Sequence, residues 1–159
     1  MAGYIKFEGL DGESLDKAHK GWSDVSSFSE GMEKPGAGTG VQRRRADVSV
    51  DDFHLVKSVD KASPKLKEAI VKGRVFPKVE IHVTRSYSDA GRVAYLIYEL
   101  KNVQVMACTM AGMCQSEDIP VENLRLNYEE IKFDYAEADA AGKEKGKISF
   151  TWKVEEGEA

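Results

Sequence analysis

The chain is short of cysteine, of histidine and of long apolar runs, and each shortage narrows what it can be. Cys108 and Cys114 are the only two thiols in 159 residues, too few for a disulfide-stapled fold. Neither stands beside a charge or a helix start that would activate a thiolate, so both are read as free thiols with no part in assembly. His19, His54 and His82, the only three histidines, are far apart, and no CxxC or HxxxH spacing joins them to the thiols. No metal or cofactor is therefore expected. No GxSxG occurs and no histidine neighbours a cysteine, so no oriented nucleophile is in view and the chain does not read as an enzyme. The acidic pairs Asp51-Asp52, Glu129-Glu130 and Glu155-Glu156 are adjacent residues, which on a strand point to opposite faces and read as surface charge.

Basic charge is not in excess either. A net charge of -4 and a pI near 5.5 imply no nucleic-acid footprint. No apolar run approaches the ~20 residues a membrane-spanning helix needs. The opening MAGYIKFEGLDGESLDK carries Lys6 and Glu8 and no apolar core of signal-peptide length. The expectation is a protein made in the cytoplasm whose export, if any, uses a route without a Sec-type signal.

What is present is an ordinary globular composition, 42% hydrophobic and 31% charged, read as one domain over residues 1–159. Its organising stretch runs from Val48 to Gly73. Val48 and Val50 share one face, Phe53 and Leu55 share another, and the phase slip at Asp51-Asp52 predicts a bend. Beyond it, Ser63 is placed to cap a helix whose first turn takes Pro64. Leu66, Ala69 and Ile70 form its apolar stripe, Lys72 suits its negative end, and Gly73 closes it in a left-handed conformation. A helix over about 64–72 is roughly two and a half turns, too short to stand without a sheet beneath it.

The remainder alternates as strands do. Ile5 and Phe7 mark a strand over 4–8, and Trp22, Val25, Phe28 and Met32 mark a second over 22–32 whose broken alternation predicts a bulge. EKPGAGTG, followed by Arg43, Arg44 and Arg45, reads as a mobile loop at about 33–45. Val79, Ile81 and Val83 form a strand with one wet face. After the SYSDAG turn, RVAYLIYELKNVQVMACTM is apolar on both faces and demands cover on both. Strands follow through Leu124 and Leu126, through Ile131, Phe133 and Tyr135, and through Ile148, Phe150, Trp152 and Val154. The fold class is mainly β, an antiparallel barrel or two-sheet sandwich with one short flanking helix.

The segment GESLDKAHKGWSDVSSFSEGM from Gly12, then VSVDDFHLVKSVDKASPKL, VENLRLNYEEIKFDY and ISFTWKV, resemble in order the haemolysin co-regulated protein (Hcp) family, the tube subunits of bacterial type VI secretion systems. The most specific piece is Val59-Asp60-Lys61-Ala62-Ser63-Pro64, with the early Gly-Glu-Ser, His19 and Gly31. Phe28 and Glu30 stand where relatives often carry a second Trp, and Thr109 to Ser116 is richer in Met and Cys than in relatives. The resemblance implies a barrel closed six at a time into rings that stack into a secreted tube. It also implies a lumen carrying effectors, with a contractile sheath and a spike protein as partners.

Two sets of site residues follow. Because the strand from Val93 to Leu100 is apolar on both faces, Val93, Tyr95, Ile97 and Leu100 are expected at the subunit interface. Because the loop is long, Gly-rich and basic, and because the family's loop at this place reaches toward the neighbouring ring, Arg43, Arg44 and Arg45 are expected to govern stacking, with Asp51 and Asp52 as natural partners. The competing expectation is a stand-alone barrel binding a small ligand, without ring assembly.

Overall fold

The computed structural model describes residues 1–34 and 48–154. In chain order the elements are β1 Ala2–Phe7, β2 Ser23–Ser29, β3 Met32–Glu33, β4 Ser49–Val50, β5 Phe53–Ser58, helix α1 Ser63–Lys72, β6 Val75–Tyr87, β7 Gly91–Ala111, β8 Val121–Asn127, β9 Glu130–Ala138 and β10 Glu144–Lys153. The main sheet runs β10-β9-β7-β6-β1-β2-β5-β8, all neighbours antiparallel, and β8 returns to pair with β7. Six strands thus close into a barrel, while β9 and β10 continue outward from β7 as a flap. The short β3-β4 pair forms a second, separate sheet.

The barrel interior is solid. Ile5, Phe7, Phe53, Leu55, Leu66, Phe76, Val79, Ile81, Leu100, Leu124, Leu126 and Ile131 are each at most 2% exposed and form one cluster. Each such side chain contributes about 1.5–3 kcal/mol by leaving water, and small barrels are filled in this way rather than hollow. Helix α1 sets Leu66 and Ala69 into this cluster, with Ile70 at its margin. It ends on Gly73 at φ 64°, with Lys72 in the last turn.

At its start the helix departs from expectation. Ser63 does not cap it: the helix begins one residue earlier than anticipated, Ala62 is the cap residue, and no side chain caps from that position. The Asp60 carboxylate instead accepts from the Ala62 N–H at 3.0 Å. Ser63, buried inside the first turn, accepts the Asp60 N–H through Oγ at 3.0 Å and donates toward the barrel wall, as described below. Pro64 sits in the first turn, where a missing N–H costs no bond.

The predicted bulge in the second strand lies between Val25 and Ser27, where β2 shifts register against β5. The strand then ends at Ser29 rather than Met32, and the chain turns to pair Met32 with Val50 and Glu33 with Ser49. Glu33 is therefore in a strand. The loop expected to be mobile, with Arg43, Arg44 and Arg45, otherwise lies outside the described residues. Gly12 of the Gly-Glu-Ser signature is required by close approach, since a Cβ there would meet Trp22 O at 2.5 Å and Ser23 Oγ at 2.4 Å.

Strand β7 is 21 residues long and serves two partners along one edge. Leu96–Lys101 pair with β9 and Gln104–Ala111 with β8. The fork falls at Asn102, a non-glycine residue at φ 51°, whose Nδ2 donates to Glu129 Oε2 at 2.7 Å. Asparagine tolerates the left-handed region far better than β-branched residues do. Asn102→Val is expected to lower stability by about 1–2 kcal/mol, whereas Asn102→Gly stays close to the parent. Urea unfolding of the three proteins at equal concentration checks the order.

Candidate assembly surface

The apolar face of the flap is a continuation of the core that gradually leaves cover. Three cross-strand rows define it. Leu100, Ile131 and Trp152 lie side by side, then Tyr98, Phe133 and Phe150, then Leu96, Tyr135 and Ile148. In the first row Leu100 and Ile131 are sealed. In the second Tyr98 is buried but Phe150 is 41% exposed, and in the third Tyr135 is 40% and Ile148 74% exposed. Strand β10 pairs only with β9 among the described residues, so its outer backbone edge is open. A cavity of about 200 Å³, lined by Glu30, Gly31, Met32, Tyr98, Phe133 and Phe150, lies where the flap meets the β2-β3 bend. There Tyr98 donates to Glu30 Oε1 at 3.3 Å, and burial, then the Glu30 charge, pushes its phenol well above the ordinary value. An open edge backed by exposed apolar rings associates with something.

Of the four residues expected at the interface, two are buried within the chain itself. Leu100 is wholly buried in its own core and cannot face a neighbour. Tyr95 is also turned in, edge-on to Tyr135 at 6.3 Å and beneath the Arg85 guanidinium at 4.6 Å. Val93 and Ile97 are half-buried. Strand β7 lies between β6 and β9, so its backbone edges are paired, and the barrel core takes up Leu100 on one face.

The acidic pair is also placed. Asp52 Oδ2 lies 3.4 Å from Arg125 Nε and its Oδ1 accepts from Asn127 Nδ2 at 3.1 Å, so Asp52 is engaged within the subunit. Asp51 is exposed. Both stand at the end of the barrel where β5 begins.

Sequence reading missed a charged cluster buried between helix and barrel. Lys57, fully buried on β5, lies 2.6 Å from Glu122 Oε1 of β8, also fully buried. It donates to Asp60 Oδ1 at 2.9 Å and to Ser58 O at 3.0 Å. Ser63 donates to Glu122 Oε1 at 2.8 Å, and Cys108 contacts Glu122 Oε2 through Sγ at 3.4 Å. Burial, reinforced by the Glu122 charge, pushes the Cys108 thiol up to about 11, the opposite of an activated nucleophile. A lysine and a glutamate placed at inward positions of two strands were the available signal. The cluster ties α1, β5 and β8 together and has no opening to solvent at Ser63, which is 2% exposed.

These features define a class of protein: a filled antiparallel barrel with a flap whose apolar face runs out to an edge strand, its outer side unpaired among the described residues. The comparisons place it further. The family described as "Type VI secretion system effector, Hcp" matches residues 4–135, and the chain belongs to the Hcp family of type VI secretion proteins. It is 31% identical over 153 residues to Protein hcp1 of Pseudomonas aeruginosa, covering 95% of this chain and 93% of that one. A structure described as that of a type six secretion system protein matches at TM-score 0.89 and 29% identity over 98% of this chain and 97% of the other. A type VI secretion system effector from Yersinia pestis matches at TM-score 0.77 and 26% identity, over 96% and 99%. No helix among the described residues is long and apolar enough to cross a membrane.

Proposed function

We propose that the chain is the tube subunit of a type VI secretion system, with six copies closing into a ring, rings stacking head to tail, and effectors carried in the lumen. The observation that carries this reading is the flap. Tyr135, Ile148 and Phe150 extend the core's apolar face onto an open edge, which a neighbouring subunit would cover, each copy using one patch as donor and a different one as acceptor. The role is structural rather than catalytic, and the contractile sheath, the spike protein and effector proteins are the partners. The protein resides in the cytoplasm before firing and is then secreted to the extracellular space or a target cell. Neither nucleic-acid binding nor membrane insertion belongs to this reading.

Stacking through Arg43, Arg44 and Arg45, with Asp51 and Asp52 as partners, remains part of the proposal. The β7-β8 hairpin, with Glu117 and Asp118, stands at the end of β5 and β8 marked by the Ser58–Val121 pair, opposite the end marked by Phe53–Leu126. Asp51 and Asp52, at the Phe53–Leu126 end, are the carboxylates offered to Arg43, Arg44 and Arg45 of the neighbouring ring.

Electron microscopy and light scattering of the purified protein test the assembly. The expected particle is a hollow ring of six times 17.6 kDa. A monomer at all concentrations overturns it and favours the ligand-binding barrel, against which stands the filled interior of Phe7, Phe53, Phe76, Leu100 and Leu126.

A further inference from the structure

The loop between β1 and β2 lies on the barrel's outer face, and one side chain holds it there. Tyr4 and His82 are cross-strand partners on the face opposite the core pair Ile5 and Ile81. His19 from the loop is 5% exposed and stacks on Tyr4 at 4.2 Å, with planes 7° apart. It meets Trp22 edge-on at 4.9 Å, and Trp22 lies against His82 at 4.6 Å. Through its two nitrogens His19 links loop to sheet: Nδ1 contacts Asp16 Oδ2 at 2.7 Å, and Nε2 contacts His82 Nδ1 at 2.9 Å.

The contact between the two imidazoles holds one hydrogen. When neither ring is charged, or only one is, one nitrogen donates and the other accepts with its lone pair. When both rings are charged, both facing nitrogens carry hydrogen and no lone pair remains, and two like charges meet in a partly buried site. We propose that the Asp16–His19–His82 chain is an acid-operated latch: when both rings are protonated, the loop from Asp11 to Gly21 releases the barrel face and bares Tyr4, Trp22 and His82.

The surroundings set the direction. Burial, then the neighbouring His19, holds His82 down at about 4, opposed by Glu80 and aided by Lys147 and Lys78. Asp16 stays ionised further into acid because His19 bonds it, and Arg92 adds to this; Arg92 also donates to the Tyr4 hydroxyl at 2.6 Å. A released His82 binds its proton at the ordinary 6.5, so docking is fully stabilised above that pH and weakens as the pH falls toward about 4. The loop is the part free to move. Its remaining ties include Gly12 N to Gly21 O and Ser14 N to Trp22 O within its own base, Lys6 Nζ paired with Asp11 and donating to Gly21 O at 3.4 Å, and Glu13 accepting the Lys61 N–H. Strand β6, by contrast, is laddered on both edges.

Trp22 reports on the latch directly. With Trp152→Phe leaving it the sole indole, its emission is expected to change reversibly between about pH 6.5 and about pH 4 while far-UV circular dichroism stays constant. In His82→Gln the side-chain amide still hydrogen-bonds His19 Nε2 but takes no proton, and the transition is expected to vanish or move down by about one pH unit or more. The latch is overturned if Trp22 emission changes only together with loss of sheet, or if His82→Gln shows the parent transition. Should that variant fail to fold at neutral pH, imidazole NMR of the unmutated protein decides. His82 titrating well below 6.5, with the amides of residues 16–21 moving at the same midpoint, supports the latch, and any other pattern overturns it.

Discussion

Lys57→Met is expected to lower stability by about 3–5 kcal/mol, because it leaves Glu122 charged, fully buried and without its cation. For a domain of this size that is a fall in Tm of about 6–20 °C. Ser63 and Cys108 still reach the Glu122 oxygens, but neutral hydroxyl and thiol groups cannot balance a carboxylate taken out of water. Asp60 fares better, since its Oδ1 also accepts the Ala62 N–H. The double variant Lys57→Met, Glu122→Leu removes both charges and is expected to recover most of the loss, as hydrophobic replacements of buried pairs do. Thermal unfolding of parent, single and double variants at equal protein concentration tests this. A double variant as unstable as the single one would mean that the lost stability comes from packing or the helix start rather than from the unpaired charge.

Replacing Ile148 and Phe150 together by Asp is expected to abolish ring formation while leaving the subunit folded. Both side chains are exposed in the single chain, Ile148 at 74% and Phe150 at 41%, so the subunit itself loses little. The association loses the burial of two large apolar groups, about 3–6 kcal/mol per interface, or roughly two to four orders of magnitude in the association constant, before any cost of burying the new carboxylates. Light scattering is expected to return 17.6 kDa with an unchanged far-UV spectrum. An intact ring from this variant would place the subunit interface elsewhere.

Much of the fold was legible because alternation is local. The inward series Ile5 and Phe7, Val79, Ile81 and Val83, and Leu124 and Leu126 were read from period-two spacing, and all are buried, all but Val83 in the one core cluster. The helix was legible from Pro64, its apolar stripe and Gly73, each acting within a turn of its neighbours. Ser63 misled because capping depends on a one-residue register of the helix start, and the serine hydroxyl found a stronger partner in Glu122, distant in sequence. The interface misled for a similar reason. An apolar strand announces that its faces need cover but not what covers them, and here the chain itself covers Leu100 with the barrel core and Tyr95 with Tyr135 and Arg85.

By itself the sequence determined the strand-rich class, the amphipathic helix after Ser63, the bend at Asp51-Asp52 and the family resemblance, since all of these rest on neighbours within a few residues or on motifs in order. Only the tertiary structure decided which strand stands at an edge, that Asn102 splits β7 between barrel and flap, that Lys57 meets Glu122, and that His19 meets His82. Those are pairings between residues far apart along the chain. Their energies arise from burial and geometry that exist only once the barrel closes, and no local pattern encodes them.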